Sequence, residues 1–216
     1  MTKNANEKNQ SIVLRVITIG DSGVGKTAMI KRYIYNTFTP DSLSTIGINS
    51  SFRNIIVKDG TKVQLKLMDT AGQEKYRVMT KSYYKNSEGV LFVFAYDNKT
   101  SFDNIGYWIK TFKENNTNDQ IPAYLIGNKS DLENKSVTQE DIDKLLKEYK
   151  LQKFESTSAL INQNIEKVFQ DMAEDMYNDY KKNASNSQAT HKLLDYKEVK
   201  KKKKKNENNC CLRENN

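Results

Sequence analysis

Cysteine is almost missing from this chain of 216 residues: the only two, Cys210 and Cys211, are adjacent and lie near the C-terminus. Neighbouring cysteines make a poor structural disulfide, so a disulfide scaffold is excluded, and a core without cysteine fits a cytosolic setting. No apolar run is long enough to cross a bilayer, and neither a secretory leader nor a Met-Gly start is present, so neither a membrane span nor an N-terminal acyl anchor is expected. Histidine occurs once, at His191 in a polar stretch, and tryptophan once, at Trp108, where packing in a helix is the ordinary reading. No internal repeat is evident.

The positive charge is unevenly spread. From Lys181 onward there are 11 Lys+Arg against 4 Asp+Glu, a net of +7 out of +8 for the whole chain, so residues 1–180 carry about +1. Residues 184–190 are rich in Asn, Ser and Gln and read as a flexible linker, and Lys200–Lys205 is an uninterrupted lysine run. Such a run is attracted to an anionic leaflet by about 1 kcal/mol per lysine. No aromatic residues interleave it and no nucleic-acid-binding fold accompanies it, so nucleic acid is not the expected partner. The expected organisation is a polar, disordered 1–10, one domain over 11–180, and a flexible polybasic tail over 181–216.

Inside the domain, apolar and β-branched runs predict strands at Ile12–Ile19, Val63–Met68, Val90–Tyr96, Ile121–Ile126 and Leu151–Glu155. Between and after them, periodic segments predict helices at Lys26–Asn36, Ser101–Asn116, Thr138–Tyr149 and Asn162–Lys181, and Thr138 to Asp141 resembles a capping box with Asp in the acidic place. Alternation of this kind implies a mostly parallel α/β sheet with its ligand at the carboxyl ends of the strands.

The first strand runs straight into Gly20-Asp21-Ser22-Gly23-Val24-Gly25-Lys26-Thr27, a complete G-x-x-x-x-G-K-[ST] loop that opens a helix. In that context the backbone N–H groups of Ser22 to Thr27 can cradle phosphates, Lys26 can reach the β- and γ-phosphates, and the Thr27 hydroxyl can hold Mg²⁺. A nucleoside triphosphate is the implied ligand. About a hundred residues later another strand ends in Asn128-Lys129-Ser130-Asp131. There Asp131 can accept from the donors that distinguish guanine, Asn128 can bond the ring edge, and the Lys129 stem can cover the ring face. Between these motifs stand Asp69-Thr70-Ala71-Gly72-Gln73-Glu74 at a strand end and Thr45 in a polar loop. Asp69 can hold the Mg²⁺ water shell, Gly72 can offer its N–H to the γ-phosphate, Gln73 can orient the attacking water, and Thr45 can supply a second hydroxyl to the metal.

With GDSGVGKT, TFTPDSLSTIG (37–47), DTAGQEKYR (69–77), SYYKNSEGV (82–90), GNKSDL (127–132) and ESTSAL (155–160), the chain resembles the Ras-superfamily small GTPases, and most closely a Rab, over about residues 11–180. The resemblance implies a six-stranded, mostly parallel sheet flanked by helices, and a GTP/GDP switch that hydrolyses GTP. It implies that Phe38 covers the guanine edge and that Ser22 leaves room beside the γ-phosphate. Ser158 and Ala159 would contact the base through backbone N–H groups, Thr45 would belong to the first switch, and Gly72 to Tyr84 would form the second. No arginine in the switches matches a catalytic position, so turnover should be slow without an activating protein.

The implied partners are a nucleotide-exchange factor, a GTPase-activating protein, a GDP-dissociation inhibitor or escort protein, and effectors in the GTP state. Cys210 and Cys211 would carry prenyl groups that, with the lysine run, hold the protein on the cytosolic face of an endomembrane. Four departures stand out: an apparent extra residue near Ser50 and Phe52, Met68 where tryptophan is usual, Leu160 where lysine is usual, and five residues after the cysteines. The last leaves open a second reading, a soluble GTP-dependent carrier whose basic tail meets an acidic partner.

Overall fold

The computed structural model describes residues 12–40, 45, 47–70, 83–118 and 120–185. Six strands form one sheet: β1 (Ile12–Ile19), β2 (Ile48–Ile56), β3 (Lys62–Thr70), β4 (Gly89–Ala95), β5 (Ala123–Asn128) and β6 (Lys153–Ser156). Their order is β2-β3-β1-β4-β5-β6. Only the β2–β3 pair is antiparallel; β3, β1, β4, β5 and β6 run in one direction. The mostly parallel six-stranded sheet expected from the sequence is thus what forms. Parallel strands require crossovers, and the helices that supply them cover both faces.

The alternation along each strand divides the core in two. Leu14 and Val16 of β1 join Leu91 and Val93 of β4 on one face, against Met29, Ile30 and Tyr33 of α1 (Lys26–Tyr35) and Phe169 and Met172 of the C-terminal helix. On the other face Ile17, Phe92 and Phe94 pack on Ile105, Trp108 and Ile109 of α3 (Ile105–Asn115) and Ile142 and Leu145 of α4 (Gln139–Tyr149). Every residue of β4 is buried, as befits a strand covered on both faces. Each large apolar side chain so buried contributes about 1.5–3 kcal/mol.

Several local details depart from the sequence reading. The helix expected over Ser101–Asn116 is two, α2 (Lys99–Asp103) and α3, interrupted at Asn104. Thr138 is the N-cap of α4 rather than its first residue, and it forms the capping box with Asp141, Asp141 N–H donating to Thr138 Oγ1 at 3.2 Å and Thr138 N–H to Asp141 Oδ2 at 3.3 Å. Strand β2 lies in a segment whose Asn and Ser residues hide the alternation.

Besides its ladder to β3, that edge strand is held by a stripe of side chains on the C-terminal helix, α5, helical from 165 onward. Glu166 accepts two bonds from Arg53, at 2.8 and 3.0 Å, and Gln170 donates to Ile56 O at 3.0 Å. Glu174 accepts from Lys58 N–H at 2.7 Å, and the Tyr177 and Thr61 hydroxyls meet at 3.0 Å. Residues spaced three and four apart share one helix face, so a single stripe serves β2 and its hairpin. The chain divides after Tyr177: residues up to it form the first unit, and of the second, 178–185 are described and are helical.

Candidate functional site

Because the strands are parallel, the ends of β1, β3, β4 and β5 lie along one rim of the sheet, and the sequence motifs follow those ends. β1 stops at Ile19, and Gly20 to Gly25 turn back into α1. Two glycines are required by space. A Cβ on Gly20 would lie 2.1 Å from Val93 O, and one on Gly25 would lie 2.2 Å from Asn128 Nδ2, at a φ of +93°. Gly25 is the N-cap of α1 and no side chain caps it, so the first N–H groups of the helix are left for another acceptor. Ser22 and Gly23 are exposed on this loop while Val24 is fully buried and anchors it.

Lys26 folds back over the loop, its Nζ donating at 2.7 Å to the carbonyls of both Gly20 and Asp21. It is buried, and burial lowers its pKa to about 8, opposed by the charges of Asp69 and Asp21. A cation held this way is short of anionic partners, which phosphate oxygens would provide.

Next to it, Thr27 Oγ1 donates to Asp69 Oδ2 at 2.7 Å and lies 2.6 Å from Thr45 Oγ1. Since the one hydroxyl proton of Thr27 goes to Asp69, Thr45 donates to Thr27. The other carboxylate oxygen, Asp69 Oδ1, is buried and has no hydrogen-bond partner among the described residues. Burial raises the Asp69 pKa, against the pull of Thr27 and Lys26. Two hydroxyls and a carboxylate with an unused buried oxygen form an all-oxygen donor set, which suits a hard divalent cation such as Mg²⁺.

On the far side of the loop lies a cavity of about 350 Å³ bordered by Phe38, Asn128, Lys129, Asp131, Ala159 and Leu160, a size suited to a small organic ligand. Asp131 Oδ1 accepts from Ser158 Oγ at 2.5 Å, and Ser158 Oγ in turn accepts from Ile161 N–H at 3.2 Å. The backbone N–H of Ser158 is committed to Gln163 O at 3.2 Å, so Ser158 acts here through its hydroxyl, by orienting Asp131. Lys129 adopts a left-handed φ of +63° and its ammonium pairs with Asp97 at 3.0 Å, leaving its stem along the cavity wall.

Asn128, expected at the ring edge, borders the cavity and has a structural role as well. Its carboxamide is buried; Nδ2 donates to Val24 O at 2.8 Å and Oδ1 accepts from Thr157 Oγ1 at 3.3 Å. It therefore joins the phosphate loop to the segment after β6 as well as bordering the cavity.

Asp21, Asn104 and Trp108 belong to the site as well, although the sequence reading assigned only packing to Trp108. Trp108 Nε1 donates to Asp21 Oδ1 and Asn104 Nδ2 donates to Asp21 Oδ2, each at 2.7 Å. The break between α2 and α3 is where Asn104 reaches the loop. A buried indole N–H needs an acceptor, which was the available signal. Gly72 and Gln73 lie outside the described residues, as do Cys210 and Cys211.

The chain is similar in sequence to known proteins. A sequence model of the Ras family matches residues 15–178. The Ras-related protein SEC4 of Saccharomyces cerevisiae is 37% identical over 166 residues, covering 77% of this chain and 76% of that protein. Ras-related protein Rab-8B of Homo sapiens is 38% identical over 183 residues, 83% of this chain and 87% of that protein. Ras-related protein RABE1e of Arabidopsis thaliana is 38% identical over 166 residues, 76% of this chain and 75% of that protein.

Proposed function

The chain belongs to the Ras family, in its Rab branch of GTP-hydrolysing switches in membrane trafficking, and from that premise we propose how its own residues carry the cycle. The observation that carries the reading is the Thr27–Thr45–Asp69 cluster with its unused carboxylate oxygen beside the buried Lys26. Thr27, Thr45 and Asp69 would hold Mg²⁺, Asp69 through water, and the metal when bound would offset phosphate charge.

The loop from Ser22 to Thr27 binds the phosphates through its N–H groups, and Lys26 exchanges its two carbonyl acceptors for phosphate oxygens. Gln73 orients the attacking water, and Gly72 donates its N–H to the terminal phosphate. Asp131 accepts from the guanine edge, Phe38 and the Lys129 stem enclose the ring, and Ala159 offers its backbone. Thr45 is the coupling element: its hydroxyl meets the phosphate site directly, so loss of the terminal phosphate releases the segment it belongs to. Exchange factors, activating proteins and effectors act on that segment and on 72–84.

At the membrane, the lysine run and prenylated Cys210 and Cys211 provide the two signals that stable anchoring requires, and a GDP-dissociation inhibitor or escort protein shields the lipids. No helix among the described residues is long and apolar enough to cross a membrane.

The test is nucleotide content and turnover of the purified full chain. Co-purified guanine nucleotide, release on the order of tenfold faster or more in EDTA, and hydrolysis at roughly 10⁻⁴ to 10⁻² s⁻¹ without partners are expected. A chain that binds no guanine nucleotide, or releases it indifferently to Mg²⁺, overturns the assignment of these residues. Intact-mass measurement of protein from its native cells decides the tail: two prenyl groups are expected, and an unmodified tail returns the carrier reading.

A further inference from the structure

Arg32 stands in the last turn of α1, outside every motif that points to the nucleotide, yet its side chain is spent on the base side of the site. Nε donates to Ala159 O at 2.8 Å and Nη2 to Leu160 O at 2.9 Å. Nη1 donates to Asn36 O at 2.9 Å, where the chain leaves the helix in a left-handed turn. The guanidinium carbon is 6.0 Å from the centre of the Phe38 ring. Ala159, Leu160 and Phe38 all border the cavity that receives the base, and Arg32 is tied to all three.

We propose that Arg32 is a positioning residue for guanine: by clamping the Ala159 and Leu160 carbonyls it holds the loop that orients Asp131, and so sets how long the nucleotide stays bound. The proposal rests on the reading of this cavity as the guanine site.

The physical need for a clamp is visible in the loop itself. Leu160 and Ile161 are 51% and 60% exposed, so burial does little to fix the loop tip. The hydroxyl that orients Asp131 belongs to Ser158, immediately before the two clamped carbonyls. A shift of Ala159 and Leu160 therefore moves Ser158 Oγ, and with it the carboxylate that reads the base. Bonds from a charged donor to a carbonyl are stronger than neutral ones, and the planar fork of arginine serves several acceptors at once. Lysine keeps the charge, but its single ammonium cannot reproduce a fork whose three nitrogens reach Ala159 O, Leu160 O and Asn36 O at once.

The decisive experiment uses full-length Arg32→Lys and, as a control, Arg53→Lys. Arg53 also donates to a carbonyl of α1, that of Tyr33, but is paired with Glu166 and borders no part of the cavity. Three quantities are measured on each: the release rate of a fluorescent GDP with Mg²⁺ present, the ratio of GDP to inosine diphosphate affinity, and single-turnover hydrolysis of bound GTP. Inosine lacks the amino group that Asp131 accepts from. For Arg32→Lys the expected result is release faster by about tenfold to a hundredfold and a narrowed GDP-to-inosine ratio, with hydrolysis of bound GTP within about twofold of the parent. Arg53→Lys should leave release and the ratio unchanged.

Wild-type release from Arg32→Lys overturns the proposal. So does faster release with an unaltered ratio, or an equal effect from Arg53→Lys, since each marks a general loosening of α1. If the parent chain itself shows no preference for GDP over inosine diphosphate, the guanine reading of the cavity has failed, and the clamp falls with it.

Discussion

Replacing Asn128 by alanine removes one donor and one acceptor from a side chain that is 2% exposed. The Val24 carbonyl loses its bond at 2.8 Å and the Thr157 hydroxyl its bond at 3.3 Å, both inside the protein. Each neutral hydrogen bond is worth about 0.5–1.5 kcal/mol net, and stranding a buried partner costs about 1–3 kcal/mol. The Thr157 bond is long and its hydroxyl can turn elsewhere, so the total should be about 2–3 kcal/mol. In a chain of this size that lowers the thermal midpoint by about 4–12 °C.

The assay separates two roles for the same side chain. Both bonds join protein groups and need no nucleotide, so the loss should appear in full in nucleotide-free protein, prepared with EDTA and phosphatase and melted by circular dichroism. GDP-bound protein should lose a similar amount, with GDP affinity falling further only as far as the loosened loop binds phosphate less well. If nucleotide-free Asn128→Ala melts with the parent and the loss appears only with GDP bound, the side chain works on the base. The account of it as a strut between Val24 and Thr157 would then be wrong.

Trp108→Phe keeps an aromatic ring in the core but withdraws the N–H that Asp21 accepts at 2.7 Å; a bond to a charged group is worth about 1.5–3 kcal/mol, so urea unfolding should show a loss in that range. An unchanged midpoint would return Trp108 to packing alone. Tyr33→Phe has the opposite sign. The Tyr33 hydroxyl is buried without a partner among the described residues, while its ring stacks on Phe169 at 4.3 Å and lies under Arg53 at 4.0 Å. Removing the hydroxyl keeps both ring contacts and should raise stability by about 1 kcal/mol, about 2–4 °C in the melt. A variant less stable by that amount would show that the hydroxyl has a partner.

Much of the fold and of the site is legible in the amino-acid order. Strand β1 is recognisable because Ile12 to Ile19 carries apolar residues to both faces of the sheet, and the loop after it because glycine is needed where the backbone turns back. The helix expected over Lys26–Asn36 ends one residue earlier, Asn36 becoming its left-handed cap. Strand β2 is hidden, because Asn49, Ser50 and Asn54 break its alternation and its support comes from Glu166 and Gln170, more than a hundred residues away. The interruption at Asn104 is hidden for a related reason: the pattern of Ser101 to Asn116 is continuous, and what divides it is an acceptor, Asp21, on another element.

By itself the sequence determined most of the succession of strands and helices, β2 and the break at Asn104 excepted, the loop that turns from β1 into α1, and the chemistry available at each motif. These follow from local rules: side-chain period, glycine at forbidden φ, and charge or hydroxyl at a given spacing. Only the tertiary structure decided which of those groups meet. It brought Thr45 to Thr27 and Asp69, tied the Asn128 carboxamide to Val24, and set Trp108 and Arg32 behind the phosphate and base loops. Such pairings join residues 18 to 127 positions apart. They are set by how the two faces of the sheet are packed, which no local pattern encodes.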